Sequence, residues 1–305
     1  DLAVSDTEDF HKYLNKYDVI HFDVQWFITE NNISEIVNTI QNNIVEELKK
    51  EYPDILDPDV TGLPDAMSII NQETGNRFIV IIDEWDVLIR DEAQNHTLQE
   101  AYIDFLRGMF KGTEPSRYIA LAYLTGILPI KKLKTQSALN NFEEFTMLDA
   151  GRMAPYVGFT EEEVFHALEE NGLSDEKETV RCWYDGFSFG KRKDIYNPWS
   201  ITKYLDTGEY GTYWADTSGN MLISNLIRRS PAKIKTEMED LLNGRVICTE
   251  LDEQVIFEQL GRKRGAIWSL MLASGYLKVV SSEELNLIRE SDNEYELALT
   301  NREIL

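Results

Sequence analysis

Phe78-Ile79-Val80-Ile81-Ile82-Asp83-Glu84 is a continuous apolar, largely β-branched run that ends in two carboxylates. Such a run suits a strand covered on both faces, as in a parallel sheet. Tyr118-Ile119-Ala120-Leu121-Ala122-Tyr123-Leu124 reads as a second buried strand, and Val19-Ile20-His21-Phe22 as a short third one. Between them lie helical patterns. Ile33, Ile36, Val37, Ile40, Ile44, Val45 and Leu48 follow a spacing of three and four, so an amphipathic helix runs to about Lys50. Asn32 is a candidate N-cap, with Glu35 placed to answer it. Pro53, Pro58 and Pro64 mark a loop. A further helix spans about Leu98 to Phe110, with Gly112 to end it. Strand, helix, strand predicts an α/β sheet with right-handed crossovers.

After about Tyr156 the pattern turns helical. Thr160 with Glu163 forms a capping box, and Asn197-Pro198 places a capping residue before a proline at the first helical position. Helices are expected near residues 220–229, 232–242 and 266–273. Tyr276 to Val280 and Tyr295 to Leu299 read as strands. A helix followed by that hairpin suits a small, winged-helix-like α+β part. The expected division is residues 1–155 for an α/β core, 156–230 for a helical lid and 231–305 for the α+β part.

Bulk properties narrow the function classes. The 305 residues are 43 % hydrophobic and 28 % charged, an ordinary globular balance. No apolar run approaches the ~20 residues of a membrane-spanning helix. The formal charge of -24 disfavours phosphate backbones and anionic lipid, so neither nucleic acid nor membrane is an expected partner. Asp1 to Asp9 is acidic, where a secretory signal is basic and then apolar. The two cysteines, Cys182 and Cys248, lie far apart in sequence, and the cytoplasm is the expected compartment.

The chemistry concentrates at the end of the apolar run. In a parallel sheet the carboxyl ends of the strands open onto the ligand crevice, so Asp83 and Glu84 fall where the Mg²⁺ of a nucleotide would sit. Asp83 is placed to orient the metal, and Glu84 to polarise an attacking water as general base. Thr125 closes the next strand, where a polar side chain can sense the γ-phosphate or that water. The plain alternatives are a solvated strand-to-loop junction for the two acids and a Thr-Gly turn for Thr125.

Other chemistries find no support. A phosphate-binding loop needs G-x-x-x-x-G-K-[ST]. The nearest string, Gly186-Phe187-Ser188-Phe189-Gly190-Lys191-Arg192, is one residue short between glycines, carries Arg192 at the hydroxyl position and reads as an exposed turn. His11, His21, His96 and His166 form no H-E-x-x-H, and no Cys-x-x-Cys exists. Glu47-Leu48-Lys49 has the letters of a nuclease motif but lies on the first helix.

Several strings, taken in order, carry a family resemblance. They are Ile81-Ile82-Asp83-Glu84-Trp85-Asp86, Leu124-Thr125-Gly126-Ile127-Leu128-Pro129-Ile130 and Gln136-Ser137-Ala138-Leu139-Asn140-Asn141-Phe142. Val157-Gly158-Phe159-Thr160, Trp183-Tyr184-Asp185-Gly186-Phe187, Tyr196-Asn197-Pro198-Trp199-Ser200, Tyr213-Trp214 and Thr217-Ser218 follow. The chain resembles the AAA-ATPase-like proteins of bacteria and mobile elements, which often carry a C-terminal PD-(D/E)XK-type nuclease domain. The resemblance implies a P-loop NTPase-like core that hydrolyses ATP with Mg²⁺, with Asp83 and Glu84 as Walker B and Thr125 as sensor. It implies that Asn140 and Asn141 belong to a signature near the site. It makes Arg152, Arg228 and Arg229 candidates for a γ-phosphate-sensing arginine. Family members carry a phosphate-binding loop upstream of the strand at Val19, so these 305 residues read as the middle of a longer protein, inactive as given. The rival reading is a protein-interaction module with a relic nucleotide site, docking through its acidic surface and tryptophans such as Trp199 and Trp214.

Overall fold

A computed structural model describes residues 3–30, 33–91, 95–128, 139–215, 226–228, 230–251, 264–280 and 294–305. The chain divides into two compact units, Asp1–Phe142 and Glu143–Leu305.

The first unit is built on a three-stranded parallel sheet in the order β1 (Asp18–Asp23), β2 (Phe78–Asp83), β3 (Ile119–Leu124). The apolar run at residue 78 is thus the central strand. Its register sets Ile20 beside Val80 and Phe22 beside Ile82, and Ile82 beside Leu124. Phe78, Val80 and Ile82 have no exposure at all. Helices Ile36–Glu51, Leu63–Thr74 and His96–Phe110 bury their apolar stripes in the same core.

The expectation of a sheet buried on both faces is corrected. β2 alternates between buried and half-buried residues, and β3 has no fully buried residue. The rows Val19-Ile79-Leu121 and His21-Ile81-Tyr123 form the open face. Val19 is 58 % exposed, Leu121 55 % and Tyr123 44 %. Apolar composition fixed the strands but could not say how many faces are covered.

Two local readings also change. Leu63–Thr74 is a helix where prolines suggested a loop, because Pro64 stands in the first turn, where its missing N–H has no partner to lose. The first long helix starts at Ile36, with Glu35 as a cap that makes no side-chain bond, after a 3-10 turn over Ile33–Glu35. Asn32 lies outside the described residues.

The second unit holds two antiparallel sheets. One has the order β4 (Phe159–Thr160), β6 (Arg192–Tyr196), β5 (Asp185–Phe189). The helical expectation after Tyr156 therefore misses a β-hairpin. Gly190 turns it at φ 58, and the string Gly186 to Arg192 runs from the second residue of β5 through that turn to the first residue of β6. Helices Glu161–Glu170, Lys177–Tyr184 and Pro198–Thr207 pack with it around Tyr184, Tyr196 and Tyr204. The capping box at Thr160 and Glu163 forms with both bonds, and Asn197 caps Pro198–Thr207 through Trp199 N and Ser200 N. The other sheet has the order β7 (Ile247–Glu250), β9 (Glu294–Leu299), β8 (Leu277–Val279), with helices Ala232–Leu242 and Arg264–Ala273. Most of the helix expected near 220–229 lies outside the described residues. No described helix is long and apolar enough to cross a membrane.

Candidate functional site

The carboxyl end of the parallel sheet gathers the acidic groups. β1 ends at Asp23 and β2 at Asp83, and the two are register partners on neighbouring strands. Asp23 is committed to structure: its Oδ1 accepts from Gln25 N at 2.8 Å and Trp26 N at 3.4 Å, starting helix Val24–Glu30. Asp83 is exposed, and its Oδ1 accepts from Glu84 N at 3.1 Å and from the Thr125 hydroxyl. The backbone reinforces that pairing. Thr125 N donates to Ile82 O at 3.0 Å, and Trp85 N donates to Thr125 O at 2.9 Å. The structure therefore brings Asp83, Glu84 and Thr125 to one place.

Glu84 sits in the left-handed region at φ 52, which is costly for a side chain of its size. Arg90 holds it, Nη2 to Oε2 at 2.7 Å. Burial pushes the Glu84 carboxyl up from its ordinary value, against the lowering pull of Arg90.

Sequence reasoning missed the two residues that organise this corner. Asp86 has no exposure; its Oδ2 accepts from Leu128 N at 2.8 Å and Ile127 N at 3.1 Å. Burial raises the Asp86 carboxyl, while Arg90 and those two N–H groups oppose the rise. Arg90 Nε lies 3.7 Å from Asp86 Oδ2. Gly126 passes so close that a Cβ there would stand 2.6 Å from Asp86 Oδ1 and 2.7 Å from the Trp85 ring. Tyr102 supports the turn from beneath, its hydroxyl donating to Trp85 O at 2.8 Å. The available signal was the acid–base spacing of Asp86 and Arg90, four residues apart at a helix start.

Asn140 and Asn141 are exposed, and Asn141 Nδ2 donates to Phe110 O at 3.1 Å, closing the end of helix His96–Phe110. Arg152 belongs to the second unit; it pairs with Glu143 at 2.6 Å and is 73 % exposed. Arg228 is exposed, and Arg229 lies outside the described residues.

A metal would suit this corner only together with a ligand of its own. Among the described residues no group of three or more His, Cys, Asp or Glu side chains could hold an ion unaided. One carboxylate with a neighbouring hydroxyl matches the way Mg²⁺ is held when substrate phosphates supply further oxygens.

Residues 1–135 match the model of a family described as "Predicted AAA-ATPase". A search of the curated proteins finds no match. The matched segment contains Asp83, Glu84, Asp86, Arg90 and Thr125 and stops short of Asn140, Asn141 and Arg152. The part of the chain that carries the strand-end site is thus similar to the AAA-ATPase-like family.

Proposed function

We propose that the carboxyl end of this sheet is the metal and water side of an ATPase site of P-loop NTPase type. The observation that carries the reading is the hydrogen bond from Thr125 to Asp83. It joins two adjacent strand ends at the crevice where a parallel sheet binds its ligands. Asp83 orients Mg²⁺, Glu84 takes the proton of the attacking water, and Thr125 positions that water or reads the γ-phosphate. Bound Mg·ATP supplies the phosphoryl group to be transferred. The protein must keep Asp83 charged and fixed and Glu84 free to accept a proton. Asn140 and Asn141 fill supporting roles around the nucleotide in this reading, and the C-terminal sheet with its helices serves as a winged-helix-like appendage.

None of the 305 residues forms a G-x-x-x-x-G-K-[ST] loop. The phosphates therefore find few backbone donors on this chain, and the 305 residues alone should neither bind ATP tightly nor hydrolyse it. Calorimetry with Mg·ATP tests this directly: a micromolar dissociation constant for the 305-residue chain would overturn that part of the reading.

A second reading, a protein-interaction module, draws on specific surfaces. The open sheet face displays Val19, Leu121 and Tyr123, and Trp199 is 48 % exposed. Trp214 favours it less, since it packs edge-on against Phe187 and tilted against Tyr276. The two readings separate on nucleotide: only the ATPase reading expects Mg·ATP to bind the natural gene product in a way that Asp83→Asn weakens.

A further inference from the structure

Arg90 reaches two carboxylates at once. Its Nη2 donates to Glu84 Oε2 at 2.7 Å, and its Nε lies 3.7 Å from Asp86 Oδ2. The two carboxylates differ in freedom. Asp86 has no exposure, and the same Oδ2 accepts from Ile127 N and Leu128 N. The Glu84 side chain is 42 % exposed and stands on a backbone at φ 52. Arg90 between them is 11 % exposed, so its charged end is held by protein rather than by water. A guanidinium suits this place because its nitrogens form a rigid planar fork that can serve both carboxylates, whereas an ammonium is a single point charge.

We infer that Arg90 is a positioning residue for Glu84, and that Asp86 is its anchor. The buried carboxylate fixes the guanidinium, and the guanidinium fixes the end of the Glu84 side chain. The bond engages Oε2, so Oε1 is the oxygen that takes the proton in the ATPase reading. The same anchor sets the facing wall. Asp86 grips the backbone just after Thr125, while Trp85 N donates to Thr125 O at 2.9 Å. One buried carboxylate thus fixes Glu84 against Thr125, the two groups that share the attacking water in the proposed site. Catalytic groups need placement to about half an ångström, which a loosely held glutamate does not reach. The positioning role rests on the ATPase reading; the pinning of Arg90 between two carboxylates does not.

Two measurements test this. In the 305-residue chain, NMR of arginine-labelled protein follows the Arg90 guanidinium, assigned through Arg90→Lys. A guanidinium pinned on two sides turns slowly about its Cζ–Nη bonds, so its two Nη nitrogens give separate signals. Glu84→Ala and Asp86→Asn should each merge them while the amide spectrum stays that of a folded protein. One averaged signal in the unaltered chain, or separate signals that survive both variants, would overturn the pinning. In the natural gene product, Arg90→Lys and Arg90→Met should lower kcat about ten-fold or more, as expected for a displaced catalytic group. KM for Mg·ATP should change less than about two-fold, since the contact with Glu84 is not a nucleotide contact. Added to Glu84→Gln, Arg90→Met should lower the residual turnover no further, because it acts through Glu84. A further drop in that double variant, or a KM that rises as much as kcat falls, would overturn the positioning role. Separate Nη signals with no hydrolysis by the natural gene product keep the pinning and remove the ATPase reading together with the role built on it. Hydrolysis lost in Glu84→Gln but untouched in both Arg90 variants keeps the ATPase reading and overturns the positioning role.

Discussion

Asp86 accepts from the backbone of Leu128 at 2.8 Å, so a fully buried carboxylate fixes the loop that follows Thr125. Removing it would orphan two N–H groups, at Ile127 and Leu128, and leave Arg90 without its inner counter-charge. Asp86→Ala should cost about 3–5 kcal/mol, the range for breaking a buried ionic contact by deleting one partner. Asp86→Asn keeps the shape and one acceptor and should cost about 1–2 kcal/mol. Urea unfolding checks both. Equal costs for the two variants would show that the carboxylate contributes only its volume.

Gly126 is pressed between Asp86 and Trp85. Gly126→Ala places a Cβ under 3 Å from both side chains, both of them buried and Asp86 pinned by three partners. Overpacking of that kind costs about 1–3 kcal/mol. Thr125 is the next residue, so the Asp83–Thr125 pairing should loosen as well. The midpoint of unfolding and the amide shifts of Asp83 and Thr125 report the two effects; no change in either would mean that the corner yields freely.

The parts that sequence made legible are those whose signal is local. The run Phe78–Ile82 declares a central strand through five consecutive apolar residues, and Thr160 with Glu163 declares a helix start through spacing alone. Pro64 misled because proline is both a breaker and a preferred first-turn residue, and only the buried stripe Leu63, Ala66, Met67, Ile70 decides between them. The hairpin from Asp185 to Tyr196 was obscured by its short strands and by two glycines that read as turn. At the site, Asp83, Glu84 and Thr125 stood at strand ends and could be named. Asp86 could not, because its partners lie forty-one and forty-two residues away and meet it only after the sheet has formed. Arg90 differs, since Glu84 and Asp86 lie only six and four residues before it; its spacing to Asp86 was legible, and the pairing with Glu84 depends on the turn that sets Glu84 at φ 52.

Asp185 in the second unit provides a pH signature. Burial, with Asp194 nearby, pushes its carboxyl up to about 6, and its Oδ1 is buried without a partner. The folded state therefore holds this proton more tightly than the unfolded chain, whose aspartates titrate near about 3.9. The contribution is fully present below about pH 4 and is lost as pH rises through about 6. Asp185→Asn carries no charge to desolvate. It should stabilise the protein at pH 7 by ~1 kcal/mol, a value reduced for the partial exposure of the group. The gain should vanish at pH 4. Denaturant midpoints of both proteins at the two pH values give the comparison, and a gain that persists at pH 4 would assign the effect to packing.

The central claim concerns Glu84 as the proton acceptor of an ATPase site, and one pair of variants of the natural gene product addresses it. Glu84→Gln preserves shape but cannot take a proton from water, so nucleotide affinity should stay near that of the parent while turnover falls at least about a hundred-fold. Asp83→Asn should instead weaken the Mg²⁺ dependence of nucleotide binding, because it removes charge beside the metal. Turnover by Glu84→Gln is the most direct measurement: loss of hydrolysis with retained binding is the predicted result, and hydrolysis at near the parent rate would contradict the assignment.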